Sequence, residues 1–388
     1  MNSNQDPGEN PKAFKHQVNL ESARRLATSL SQTWPAFDQV AFLKTVEAAL
    51  PPLELKARVG LIADALAQHL PAEYERALEI VLATLGPPLE GTSHVSSEAF
   101  YYWVHAHFVQ TRGLGHFDES LNAMLEITKR STAEFAVRPF LRKDSARVLK
   151  FLRRHLRDPN PHVRRWISEG TRARLPWGER LPMFQSDPSE PLSLLEQLRN
   201  DASPYVRTSV ANHLGDIAKD HPGLAVETAK RWLAEHRASP KKFPHAPWIA
   251  ERALRHLVKA GDPGALGTLG VASSSRASVS LISLDKKRVR IGERLTFSAV
   301  LKGAVSESLI VDYAVVYQLA RGKTGRKVYK LKKLEIAAGA SVAISKTHSF
   351  RPITTRVYYP GEHQLLLIVN GKVKAEAAFQ LLGPNLSV

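Results

Sequence analysis

The sequence predicts a multidomain protein, an all-α solenoid of stacked helical repeats followed by a small all-β sandwich. Three observations carry this. Apolar residues recur at helical spacing from Asn19 to about Lys259. Inside that region an Asp-x-x-Pro-x-Val start recurs at a fixed interval. Beyond a Gly/Ser-rich stretch the pattern turns to short runs, many of them alternating. At 388 residues the chain is long enough for two or three domains.

The first sixteen residues are polar and carry no apolar stretch of signal-peptide kind, so residues 1–18 read as a frayed, disordered tail. The runs LESARRLATSL, FDQVAFLKTVEAAL, ELKARVGLIADALAQHL and EYERALEIVLATLG each place apolar residues at i, i+3, i+4 and i+7. Pro35, Pro51–Pro52, Pro71 and Pro87–Pro88 separate them, and such short connections imply antiparallel neighbours. After the loop GTSHVSS come EAFYYWVHAHFVQT, HFDESLNAMLEITKRST, AEFAVRPFLRK and SARVLKFLRRHLR.

The repeat follows. DPNPHVRRWISEG starts at Asp158 and DASPYVRTSVANHLGDIA at Asp201, forty-three residues later. Each has a capping residue (Asn160, Ser203) ahead of a proline at the first helical position (Pro161, Pro204). Val163, Val206 and Ile249 align at the same offset, which supplies a third copy. A period of this size is HEAT-like, so residues 19–268 are expected to form a HEAT-like α-solenoid with a concave face. Residues 269–277 read as a linker. In residues 278–388 about seven strand-like runs, split by glycine turns, suit an immunoglobulin-like sandwich.

Charge narrows the partner. The net charge is +17, and it is unevenly placed: −6 over residues 1–128, +10 over 129–177, +1 over 178–275 and +12 over 276–388. Two basic regions point first to nucleic acid. There is no cysteine, which excludes disulfides, cysteine-bound zinc, iron–sulfur clusters and a thiol nucleophile. Neither a membrane-length apolar run nor a nucleotide-binding, serine-hydrolase or zinc-protease motif occurs, so no membrane and no cofactor are expected. His105 and His107 are two apart and point to different helix faces, a poor metal pair. No base-reading motif is present either, so gripping of the DNA backbone is the expectation.

Inside the +10 stretch, Arg165, Glu169 and Arg172 share one helical face, and Glu134 stands four before Arg138. On spacing alone these are equally two solvated ion pairs. Trp177 beside Pro176 is equally a packing residue, and Asp216 with Asn212 an inter-repeat pair. Arg164 and Arg165 lie near the outward amides of a helix start, a site for phosphate. Lys323, Arg326 and Lys327, with Lys330 and Lys332, lie on or beside one hairpin, either as DNA contacts or as charges guarding an edge strand.

TKRSTAEFAVRPFL, NPHVRRWISEGTRARLPW and SPYVRTSVANHLGDIAKDHP closely resemble the AlkC branch of the AlkC/AlkD alkylpurine DNA glycosylases, and the carboxyl-terminal sandwich matches its longer form. The resemblance implies a monofunctional glycosylase of base excision repair. It would release cationic N-methylated bases, 3-methyladenine and 3-methylcytosine, from duplex DNA without flipping them. It also implies that Glu169, Glu134 and Asp216 are catalytic, that Trp177 meets the sugar or lesion, and that Arg165 contacts the backbone. Charge alone adds Arg164 and Arg172 to that contact, and makes Lys323, Arg326 and Lys327 of the sandwich a clamp closing on the DNA. The protein would be a cytoplasmic, nucleoid-associated monomer without metal or cofactor. The alternative is a non-enzymatic HEAT scaffold binding nucleic acid or protein.

Overall fold

A computed structural model of the chain describes residues 14–91, 97–353 and 356–384. The tail expected over 1–18 lies outside these residues as far as residue 13. Phe14–Gln17 form a 3₁₀ turn, and Val18 behind it is buried.

The chain divides into two compact units, residues 1–220 and 221–388. In the first, the helices are α1 (Leu20–Thr33), α2 (Gln39–Ala49), α3 (Leu55–His69), α4 (Tyr74–Ala83), α5 (Ser97–Arg112), α6 (Phe117–Thr128), α7 (Val137–Lys143), α8 (Ser145–Arg154), α9 (Pro161–Gly170), α10 (Pro182–Ser186), α11 (Ser189–Leu198) and α12 (Pro204–Asp220). The starts follow the capping chemistry. Asn19, Asp38, Asp144 and Asn160 each accept a backbone N–H of the first turn. The buried stripes are those of the sequence pattern, among them Leu26, Leu30, Phe42, Ile62 and Leu66. Tyr101, Tyr102 and Trp103 are buried as core residues. His105 is wholly buried, with its Nε2 3.0 Å from the Thr84 hydroxyl.

The 43-residue repeat is physical. The Asp158 and Asp201 carboxylates each accept the amide two residues on, at 2.8 Å. Six residues after each aspartate, Arg164 and Arg207 donate back to the loop carbonyls, Arg164 to Asp158 and Pro159, Arg207 to Asp201 and Ala202. Each repeat start is therefore a self-tied turn ahead of a proline-led helix.

The second unit carries α13 (Pro222–Ala238), α14 (Ala246–Ala260) and α15 (Pro263–Thr268), then nine strands. These are β1 (Ser278–Val279), β2 (Ser283–Leu284), β3 (Arg288–Arg290), β4 (Arg294–Lys302), β5 (Glu307–Gln318), β6 (Thr324–Ile336), β7 (Ser341–Ser349), β8 (Gly361–Val369) and β9 (Lys372–Leu382). β1, β2 and β7 pair with β4; the second sheet runs β3-β9-β8-β5-β6. Phe297, Val311, Val315, Leu365, Leu367 and Leu381 fill the space between them. The run RVRIGERLTF, which reads as one strand, breaks at Gly292 (φ +101°) and sends its halves to different sheets, β3 pairing parallel with β9. Helix α14 stops at Gly261 (φ +78°) against Gly371 (φ +77°) of the β8–β9 turn, where a Cβ on Gly371 would fall 2.1 Å from the Gly261 Cα. No helix among the described residues is long and apolar enough to cross a membrane.

Candidate active site

The site lies in the first unit, where α9 and the turn before α7 face each other. Asn160 caps α9 and Pro161 starts it, which sets Arg165 and Glu169 one turn apart on one face; the helix ends at Gly170, so Arg172 reaches Glu169 from the turn beyond it. That face is not solvated. Glu169 is 6 % exposed and Arg172 7 %. The second expected pair is different altogether. Glu134 does not use Arg138; its Oε2 pairs with Arg165 Nη1 and accepts the Thr132 hydroxyl at 2.9 Å. Arg138 is 1 % exposed and donates to the carbonyls of Gly170 and Glu179.

Arg165 thus stands between two carboxylates, with Nη2 3.5 Å from Glu169 Oε1. Arg172 grips Glu169 Oε1 from the other side and reaches Asp216 Oδ2 at 2.7 Å through both Nε and Nη2. Ser209 of α12 donates to Glu169 Oε2. These neighbours separate the two glutamates electrically. Burial pushes the Glu134 carboxyl up, Arg165 pulls it down, and the like charge of Glu169 adds to the rise; the net direction is upward. Burial also works against the charge of Glu169, but Arg165, Arg172 and the Ser209 hydroxyl outweigh it and hold that carboxyl below the usual range. Two acids on one guanidinium are thus shifted in opposite directions.

Glu134, Arg165 and Glu169 line a cleft of about 480 Å³ whose other walls are aromatic: Phe14, Phe100, Trp103, Phe135, Trp177 and Tyr205. Trp177 is 55 % exposed and adopts φ +65°, a backbone state unusual for a large side chain. The loop holds it there. Lys56 donates to its carbonyl, the Phe14 ring meets the indole edge-on at 6.1 Å, and a Cβ added at the following Gly178 would fall 3.2 Å from Arg138 Nε. Tyr205 lies under the Arg165 guanidinium, 5.3 Å from ring centre to Cζ.

The other expected residues are placed differently. Asp216 is 2 % exposed, not among the cleft-lining residues, and holds Arg172 and Lys219. Arg164 and Arg172, expected at the DNA backbone, are each paired with carboxylates of the protein. Arg164 forms a two-pronged pair with Asp201 at 2.6 and 2.9 Å, and Arg172 is clasped by Glu169 and Asp216. The physical reason is burial, which gives a charged group a partner before it gives it solvent. Arg165 lines the cleft but is likewise engaged by carboxylates. Lys323, Arg326 and Lys327 are exposed at the start of β6, which is an edge strand. Ser209, Tyr205 and Lys56 are not singled out by sequence. Only the Ser209–His213–Asp216 spacing of i, i+4, i+7 signals one α12 face turned to α9.

Chemically, the cleft offers ring faces and an anionic edge, which suits a flat cation, and it sets an ionised carboxylate where positive charge can develop.

The model of the family described as "Uncharacterised protein YhaZ, C-terminal Ig-like domain" matches residues 278–383. The Uncharacterized protein YhaZ of Bacillus subtilis is 36 % identical over 369 residues, which cover 95 % of this chain and 99 % of that protein. Among solved structures, Pseudomonas fluorescens alkylpurine DNA glycosylase AlkC, bound to DNA containing an abasic site analog, matches with a TM-score of 0.86 at 35 % identity, covering 95 % of this chain and 99 % of that one.

Proposed function

The chain belongs to the family of AlkC and YhaZ, and from that membership we propose that it is a DNA glycosylase that releases cationic N-methylated bases from duplex DNA. The observation that carries the reading is the Glu134–Arg165–Glu169 cluster on the edge of an aromatic-walled cleft. Methylation at the ring positions concerned makes the base cationic, so the C1′–N bond breaks with its electron pair going to a base that leaves neutral. The enzyme's task is then the sugar. Glu169, held ionised, faces the oxocarbenium-like C1′ and orients a water. That water adds its oxygen to C1′ and gives its proton to the Glu169 carboxylate, leaving an abasic site. Glu134 is the second carboxylate of the pair. Asp216 acts from behind, through Arg172.

Trp177 lays its exposed ring against the sugar or lesion, where a cation–π contact is worth about 1–2 kcal/mol. Because the carboxylates address the sugar, the base need not enter a deep pocket, unlike the usual flipping strategy. The basic edge of the sandwich, with Lys323, Arg326 and Lys327, contributes to binding the backbone, and a monomer suffices. Substrates of this class include 3-methyladenine and 3-methylcytosine. The test is to incubate the purified protein with methylated duplex DNA and assay free bases and abasic sites. Release of methylated bases is expected; tight binding with no abasic product would leave only an architectural DNA binder.

A further inference from the structure

One group in the cluster belongs to neither the cleft nor the ion pairs. Ser209, on α12, is 2 % exposed; its Oγ lies 2.5 Å from Glu169 Oε2 and 2.9 Å from Ser168 Oγ, and Ser168 is itself fully buried. A hydroxyl carries one proton. The Ser209 hydroxyl is the donor toward both neighbours, and the ionised carboxylate, which can only accept, is the nearer and stronger acceptor of its single proton.

The repeat register sharpens the point. One period earlier, the position equivalent to Ser209 is Trp166, a fully buried packing residue on α9. At the same register α12 carries a small polar side chain instead. The consequence for Glu169 is geometric. Its Oε1 faces Arg172 and Arg165, while Oε2 meets only the Ser209 hydroxyl among these donors. A carboxylate has about four lone-pair sites. The Ser209 bond therefore fixes the plane of the group and decides which lone pair of Oε2 is left to address a water or sugar.

We propose that Ser209 is a positioning residue for base release, orienting Glu169 and sustaining its charge through the hydrogen bond to Oε2. This rests on the glycosylase reading of the same site. The groups facing Glu169 are Glu134 from the turn before α7, Arg165 from α9, Arg172 from the turn after it, and Tyr205, Ser209, His213 and Asp216 from α12. Of these, His213 is held neutral at working pH, since burial and the neighbouring Arg172 pull it down to about 4. With the arginines permanently charged, the acid side of the pH profile reports the two glutamates as a pair.

The experiment is the rate of methylated-base release from methylated duplex DNA against pH for wild type, Ser209→Ala and Ser209→Thr, with DNA affinity measured alongside. Ser209→Ala is expected to move the acid limb upward by about one pH unit, as loss of a bond to a charged group requires, with unchanged affinity. Ser209→Thr, which keeps the hydroxyl, should restore the limb. Should the alanine variant fail to fold by circular dichroism, Ser209→Cys, a weaker donor of similar size, takes its place. A limb in the folded variant that coincides with wild type overturns the role of Ser209. A wild-type protein that releases no base overturns instead the reading on which it rests.

Discussion

The carboxylates of Glu134 and Glu169, from a turn and from a helix thirty-five residues apart in the chain, meet on the single guanidinium of Arg165. Arg172 holds Glu169 from the other side, so two guanidiniums balance the two acids, and what distinguishes this cluster from the ion pairs on the surface of the same unit is its burial beside aromatic walls. Those exposed pairs, such as Arg76 with Glu79, are worth roughly 0.5 kcal/mol each.

Trp177 gives a test in which backbone and ring separate. At φ +65° a non-glycine residue is strained by about 1 kcal/mol, so Trp177→Gly should unfold no more easily than Trp177→Ala and be more stable by about that amount. Both should slow base release equally, since both lose the ring. Thermal unfolding read against release rate decides the matter, and a slower Gly variant or a less stable one would contradict it.

Arg164 separates stability from DNA binding. Its guanidinium is taken by Asp201 and two loop carbonyls, so Arg164→Ala should cost about 2 kcal/mol in urea unfolding and leave the salt dependence of DNA binding as it is. Replacing Lys323, Arg326 and Lys327 together with alanine should do the opposite, lowering the slope of log K against log salt by about two to three. A salt titration of both proteins checks the pair of expectations.

Three buried histidines make the fold sensitive to acid. Burial pulls His105, His213 and His348 down to about 4, the last two helped by Arg172 and Arg356. A histidine with a lowered folded value takes up its proton first in the unfolded chain, so stability is full above about pH 6.5 and falls as pH drops toward 4. The loss is on the order of 2 kcal/mol for each between pH 7 and pH 5. Glu134, pushed upward, opposes this as a single group. The urea midpoint should fall over that window, and fall less in His105→Gln; equal midpoints at pH 7 and pH 5 would contradict the account.

Much of this architecture is legible in the residues. The proline-led starts at Pro161 and Pro204, the one-turn spacing of Arg165 and Glu169, and the loss of helical spacing before Ser278 are all local patterns with local causes. What the sequence hides is partnership. Glu134 stands one turn from Arg138 yet pairs with Arg165, because the backbone turns between them and Arg138 is drawn to the carbonyls of Gly170 and Glu179. Arg164 and Arg172 look like phosphate contacts until Asp201 and Asp216 come to meet them from the next repeat. Ser209 is silent for the same reason: a serine forty residues from the carboxylate it serves carries no spacing signal of its own.

The central claim is tested most directly by the single-turnover rate of 3-methyladenine release by wild type and Glu169→Gln, each saturating the same methylated duplex. The amide keeps the shape of Glu169 and removes its charge. The account predicts matched DNA affinity and a release rate lower by about two to three orders of magnitude in the variant. Release at the wild-type rate by a folded Glu169→Gln protein would contradict it.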